Sequence, residues 1–161
     1  MAQMDITAIG EVLIDLTQTG VNEYGVPVFA ANPGGAPANA AVAAARLGAR
    51  TAFLGKVGED GFGAYLTQVL RENGVDVSGL RKDEAPTTMA IVSVDGTGER
   101  DFRFVRGADS RLAEGEVDLE LIRESIFLHC GAVSLTAPTA REATLYAARK
   151  AHEMGVLVSY D

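Results

Sequence analysis

Residues 34–48 read GGAPANAAVAAARLG, and the rest of the chain is organised around them. A glycine pair, Gly34-Gly35, ends one segment, Pro37 falls near the start of an alanine-rich run, and Gly48 follows that run at once. Proline in the first turn and glycine just past the end mark an α-helix, so the spacing predicts a helix over 37–47. Upstream, 5–9 leads into an apolar stretch through Leu16, broken by Glu11 and Asp15, which reads as a buried strand and its continuation. Downstream, 51–57 is a short strand. Residues 62–73, closed by Gly74, space Phe62, Tyr65, Leu66, Val69 and Leu70 as one face of an amphipathic helix. Strand, helix, strand, helix argues for an α/β fold with a doubly wound, mostly parallel sheet flanked by helices.

Two segments depart from that alternation. Between 17 and 32 the composition shifts to Thr, Gly, Asn and Pro around a short alternating piece at 27–30, read as an excursion from the main sheet. Runs 87–95 and 99–106 alternate with period two across Gly96-Thr97-Gly98 and read as an antiparallel hairpin. Together they predict a small second sheet, with segments at about 17–32 and 87–106, inserted in one unit covering 1–161. The α/β pattern then resumes with a helix at 119–125, a strand at 126–130, a helix at 138–154 and a buried strand at 156–160.

Composition narrows the function classes. Fourteen Lys+Arg against 22 Asp+Glu give a net charge of −8, which repels phosphate backbones and anionic lipid, so neither nucleic acid nor a membrane is expected as partner. No apolar run reaches the ~18 residues of a membrane span. One cysteine, Cys130, and no basic-then-apolar leader in residues 1–10 predict a reduced, cytoplasmic protein. Eighteen glycines beside 47% hydrophobic residues imply many tight turns between packed elements. Gly10 is followed by Glu11-Val12-Leu13, so the dinucleotide fingerprint is missing, and Gly55-Lys56 continues into Val57, so there is no P-loop. Two histidines and one cysteine make a transition-metal cluster implausible.

The run Gly34-Gly35-Ala36-Pro37-Ala38-Asn39-Ala40-Ala41, followed by Gly48 and Gly58, resembles the amino-terminal signature of the ribokinase-like (PfkB) carbohydrate kinases. Residues 10–15, GEVLID, and 55–63, GKVGEDGFG, resemble the bacterial fructokinases within that family. The resemblance spans the whole chain and the first half of the family's usual length. It implies an incomplete ribokinase-like sheet carrying a small β-sheet lid, and ATP-dependent phosphorylation of D-fructose to fructose 6-phosphate in the complete protein. ATP and Mg2+ are the implied cofactors; the nucleotide site and the aspartate base are expected beyond Asp161, leaving this chain inactive alone. A homodimer through the lid sheet is the implied assembly. A non-catalytic sugar-binding or dimerisation module, or a kinase for 2-keto-3-deoxygluconate or another sugar, are the alternatives.

A neutral sugar offers no charge to seize, so its site needs donors and acceptors aimed at hydroxyls. Asp15, at the strand end, can accept from two hydroxyls, or it merely caps a turn. Asn39, in the helix's first turn, is a sugar ligand by resemblance or a local cap. Gly34 and Gly35 permit positive φ and close approach, as a lid hinge by resemblance or an ordinary turn. Val92 and Phe104 are implied to face the sugar, with Arg106 beside the pocket, and Phe102 and Phe104 could equally pack in the hairpin or against a second subunit. Arg103 falls on the opposite face from Arg100 and Arg106, so Arg100, Arg103, Arg106 and Arg111 read mostly as a solvated edge rather than an anion site. Lys56 is read as stabilising a local loop and His129 as a satisfied core histidine. A half sheet is also expected to expose an unpaired apolar edge and to self-associate.

Overall fold

The structure, a computed structural model, describes residues 3–94 and 100–161. Among the described residues two sheets form. The larger has at its centre β1 (Met4–Ile9), which runs parallel to β4 (Thr51–Gly58) and β9 (Ser125–Cys130). With β10 (Leu157–Tyr160) and β5 (Val75–Asp76) the order is β10-β9-β1-β4-β5, and β6 (Leu80–Asp83) pairs with the far end of β4. Period two sorts the central side chains. Ala8, Phe53 and Val57 face α1 (Ala36–Arg46) and α2 (Gly61–Glu72), where Ala38, Ala41, Leu66 and Leu70 close the packing. Ile9, Leu54 and Leu128 face the other way, against Ile122 of α3 (Leu119–Arg123) and Ala143, Ala147 and Ala151 of α4 (Pro138–Glu153). Covering both faces is what demands the apolar runs seen in β1 and β4.

The smaller sheet has the order β3-β2-β7-β8, from β2 (Leu13–Val21), β3 (Pro27–Gly34), β7 (Met89–Val94) and β8 (Arg100–Val105). β2 is antiparallel to β3 and parallel to β7, and β7 is antiparallel to β8. The expected hairpin is present. Its Gly96-Thr97-Gly98 connection lies outside the described residues, as do the side chains of Arg100 and Phe102. The turn from β2 to β3 is held by Asn22, whose Oδ1 accepts from the amides of Tyr24 (2.9 Å) and Val26 (3.0 Å).

Three expectations need correction. The apolar stretch 5–16 is not one strand: Gly10 adopts φ +151° and a Cβ there would lie 2.6 Å from Pro37 Cγ, so the chain turns and β2 starts at Leu13 in the smaller sheet, four residues before the predicted excursion. β10 lies at the edge of the sheet in this chain, with Leu157 57% and Tyr160 61% exposed, so the strand read as buried is instead the unpaired apolar edge expected of a half sheet. Of the predicted apolar face of α2, Leu66 and Leu70 are buried while Phe62 and Tyr65 stay substantially exposed, because the sheet accepts only a narrow stripe. β5 and β6 escaped the sequence reading, being too short to carry a period.

Asp60 caps α2, its carboxylate accepting from the amides of Gly63 (2.8 Å) and Thr87 (2.7 Å) and from the Thr87 hydroxyl (2.7 Å). Burial raises its pKa, but these bonds outweigh it and hold the carboxyl below its usual range. A depressed folded pKa gives stability that is present above the unfolded value, near 4, and is lost as pH falls through the folded one. Asp60→Ala is expected to cost about 1–2 kcal/mol at pH 7, read by urea titration, with the deficit shrinking below about pH 4.

Candidate functional site

In-register pairing puts Asp15 beside Asn32 on one neighbour and Ala90 on the other, and Ala90 opposite Phe104. Paired residues share a face, so Asp15, Thr17, Asn32, Ala90, Val92 and Phe104 line one side of the smaller sheet. Asp15 is the third residue of β2, not a strand end as the sequence suggested. The break at Gly10 carries it off the main sheet. Burial pushes its carboxyl above the usual range. Val92 is buried, and Phe104 is 48% exposed. The opposite side, through Ile14, Leu16, Ala31 and Met89, packs on the α1/α2 core, which fixes the base of the lid.

Gly34 ends β3 and lies against Asp15: a Cβ added to it would run into the Asp15 carboxylate. Gly35 takes φ +106°, a left-handed conformation that side-chain-bearing residues avoid, and its Cα faces the backbone of Glu11 and Val12. The pair is therefore more constrained than an ordinary turn. Asn39 is exposed on α1 and does not cap it. Together with Gly34, Val12, Val42, Leu66 and Leu70 it lines a cavity of about 190 Å³ between α1 and α2, and Arg46 Nε donates to Asn73 Oδ1 (2.7 Å) at its wall. Gly34 thus joins Asp15's face of the lid to Asn39's cavity.

Arg106 follows β8 and clasps the lid to the main sheet. Its guanidinium pairs with Asp109 Oδ2 (2.8 Å) and donates to Thr136 Oγ1 (2.8 Å) and the Val133 carbonyl (3.4 Å), both in the segment after β9. Asp109 is buried and also accepts from the Thr88 hydroxyl, which itself accepts from the Gly107 amide at 2.6 Å. Arg111 pairs with Asp83 (3.3 Å). Arg106 is therefore not part of a solvated edge, being held by Asp109 nearby and by Thr136 and Val133 from far along the chain, whereas Arg111 stays largely exposed beside Asp83. Lys56 is nearly buried, its Nζ bound to Glu116 (2.8 Å), Asp83 (3.2 Å) and the Arg111 carbonyl (3.2 Å). His129 is half-buried, not core, with Nδ1 3.1 Å from Ser159 Oγ.

Glu11, Thr88, Asp109 and Ser134 belong to this region and were not singled out by sequence. Only the break in an apolar run at Glu11 could have drawn attention. Among the described residues no group of three His, Cys, Asp or Glu converges to hold a metal ion, and no residue here is assigned to Mg2+ or to nucleotide. No helix of the described residues is long and apolar enough to cross a membrane.

The arrangement, a doubly wound sheet with a separate four-stranded sheet and a glycine pair at the join, has close counterparts. A probable fructokinase of Arabidopsis thaliana, fructokinase-3, is 47% identical over 161 residues, covering 97% of this chain and 47% of that protein. The crystal structure of fructokinase from Xylella fastidiosa superposes with a TM-score of 0.92 at 35% identity, over 98% of this chain and 50% of that one. The same enzyme with bound ATP gives 0.90 at 34% identity, over 98% of this chain and 48% of that one. The chain therefore spans about half the length of the relatives it matches. Residues 3–161 also match the pattern of the pfkB family carbohydrate kinases, and with the fold in agreement the chain belongs to that family.

Proposed function

We propose that this chain is the sugar-binding and lid portion of a fructokinase-type enzyme, which transfers the γ-phosphoryl group of ATP to D-fructose to give fructose 6-phosphate. The observation that carries the reading is Asp15, a carboxylate partly withdrawn from water on the lid face, set against Gly34 and next to apolar Ala90, Val92 and Phe104. Such a carboxylate is a strong acceptor for paired hydroxyls, and the apolar wall suits the C–H face of a sugar. Asn39 and the hinge glycines complete the sugar side, and Arg106 stands at the mouth as the clasp that sets the lid's angle rather than as a free cation. The identities of the matched fructokinases, one solved with ATP, support both substrates. ATP brings the transferable phosphoryl group, with Mg2+ as its counter-ion; this chain's residues bind and orient the acceptor.

A second copy through the lid sheet is the proposed partner, supported by Tyr24, Val28 and Phe29 standing exposed on β3 and the turn before it. Sedimentation of the wild type and Phe29→Lys is expected to show a dimer and a monomer.

ADP-release assays on the protein expressed from its complete reading frame test the function, with fructose, ribose, adenosine and 2-keto-3-deoxygluconate as competing acceptors. Fructose is expected to give the highest kcat/KM. Preference for the keto acid or for ribose would keep the kinase and reject the sugar. The 161-residue chain alone, with no base assigned, is expected to release ADP no faster than buffer.

A further inference from the structure

α1 begins without a side-chain cap, because its N-cap residue is Gly35. A helix leaves its first amides without internal partners, and here the Ala36 amide finds one 25 positions back in sequence. Glu11 Oε1 accepts from it at 3.1 Å. The Glu11 carboxylate is 1% exposed, and its other oxygen lies 3.4 Å from the Ser134 hydroxyl, after β9. Space for it is cleared by glycine: a Cβ on Gly131 would lie 2.8 Å from Pro37 Cδ and 3.3 Å from Glu11 Oε2. The Arg106–Asp109 clasp acts on the same carboxylate, Asp109 opposing its charge and Arg106 favouring it.

Withdrawing a carboxylate from water is costly, so this one must be offset where it sits. The positive end of the α1 dipole supplies part of that offset. From this geometry we infer that Glu11 is a positioning residue: it caps α1 from the end of β1 and thereby holds the Gly34-Gly35 hinge and Asn39 in the arrangement that receives the sugar. Glu11 touches no substrate and acts through the helix. The inference rests on the sugar-kinase reading for its kinetic consequence, while the cap itself can be read without any sugar.

The test uses the protein from its complete reading frame. Glu11→Ala is expected to raise the KM for fructose about tenfold, the size of a lost cap, with the KM for ATP changed less than about twofold. Glu11→Gln keeps an acceptor oxygen for the Ala36 amide and is expected within about threefold of wild type. Glu11→Asp keeps the charge but withdraws the acceptor by one methylene, and is expected to resemble the alanine variant. In parallel, hydrogen exchange at the Ala36 amide is expected to speed up in Glu11→Ala and Glu11→Asp, with β1 and β4 amides unchanged. If Glu11→Ala fails to fold, the Asp and Gln pair carries the comparison. Unchanged fructose KM in Glu11→Asp, or fructose and ATP KM rising together, overturns the inference. A wild type that phosphorylates no sugar rejects the functional reading instead, and the exchange rates then decide the cap: unchanged Ala36 exchange overturns it.

Discussion

Asp15→Ala is expected to cut kcat/KM for fructose by about 10²–10³-fold, since two hydrogen bonds to a charged acceptor together contribute about 3–4 kcal/mol. The loss should fall on fructose, leaving the KM for ATP near wild type. Its pH dependence follows from the environment. Burial raises the Asp15 carboxyl, so the charged acceptor is lost at a higher pH than for an ordinary aspartate, and fructose affinity should fall correspondingly early on acidification. The stability sign is the reverse. A folded pKa above the unfolded value means that folding takes up protons between the two, so Asp15 weakens the fold once pH rises through that window. Asp15→Asn is therefore expected to bind fructose poorly yet melt at or above the wild-type temperature at pH 7. A variant that loses affinity and stability together would mean that Asp15 supports the lid rather than the ligand. Calorimetric titration and a thermal melt on the same sample separate the two outcomes.

Lys56→Met is the second large effect, and it concerns the fold. Lys56 enters at the end of β4 and meets Glu116, Asp83 and the Arg111 carbonyl, tying the main sheet to β6 and to the two short turns at Ala108–Arg111 and Glu114–Glu116. Removing the cation leaves two carboxylates facing one another in a poorly solvated place. Breaking a buried pair from one side costs about 3–5 kcal/mol, and the partial exposure of Glu116 places this case near about 3 kcal/mol, or roughly 6–12 °C in Tm for a chain of this size. Asp83 is held below its usual range first by the Ala85 amide, against burial, and then by Lys56 and Arg111. Its depressed pKa gives stability above about pH 4 that is lost below it, so wild type and variant should converge in acid. A Tm shift of under about 2 °C at pH 7 would show that Lys56 is solvated rather than clamped.

Most elements of the fold were legible because their signals are local. Proline and glycine bracketed α1, the apolar spacing marked α2, and alternation marked β7 and β8. Each property belongs to a window shorter than one element. The site was legible in part. Asp15, Gly34, Val92 and Phe104 meet along one lid face, Gly34 and Asn39 share a cavity wall, and Gly35 takes the positive φ foreseen for it. Arg106 was placed beside the pocket, but its partners Thr136 and Asp109 could not be foreseen. Glu11 read as a break in an apolar run and as part of the GEVLID stretch, but not as a cap, since its partner Ser134 lies 123 positions away.

The sequence by itself determined the α/β alternation, the helix behind a glycine pair and the absence of nucleotide fingerprints in these residues. Those follow from backbone preference and hydrophobic period, which neighbouring residues impose on one another. Only the tertiary structure decided where the first apolar run breaks, which carboxylate caps α1, that Arg106 is a clasp and which strand forms the exposed edge expected of a half sheet. A buried charge or an exposed strand is defined by what chain folding brings against it, and here the decisive neighbours come from the far side of two sheets.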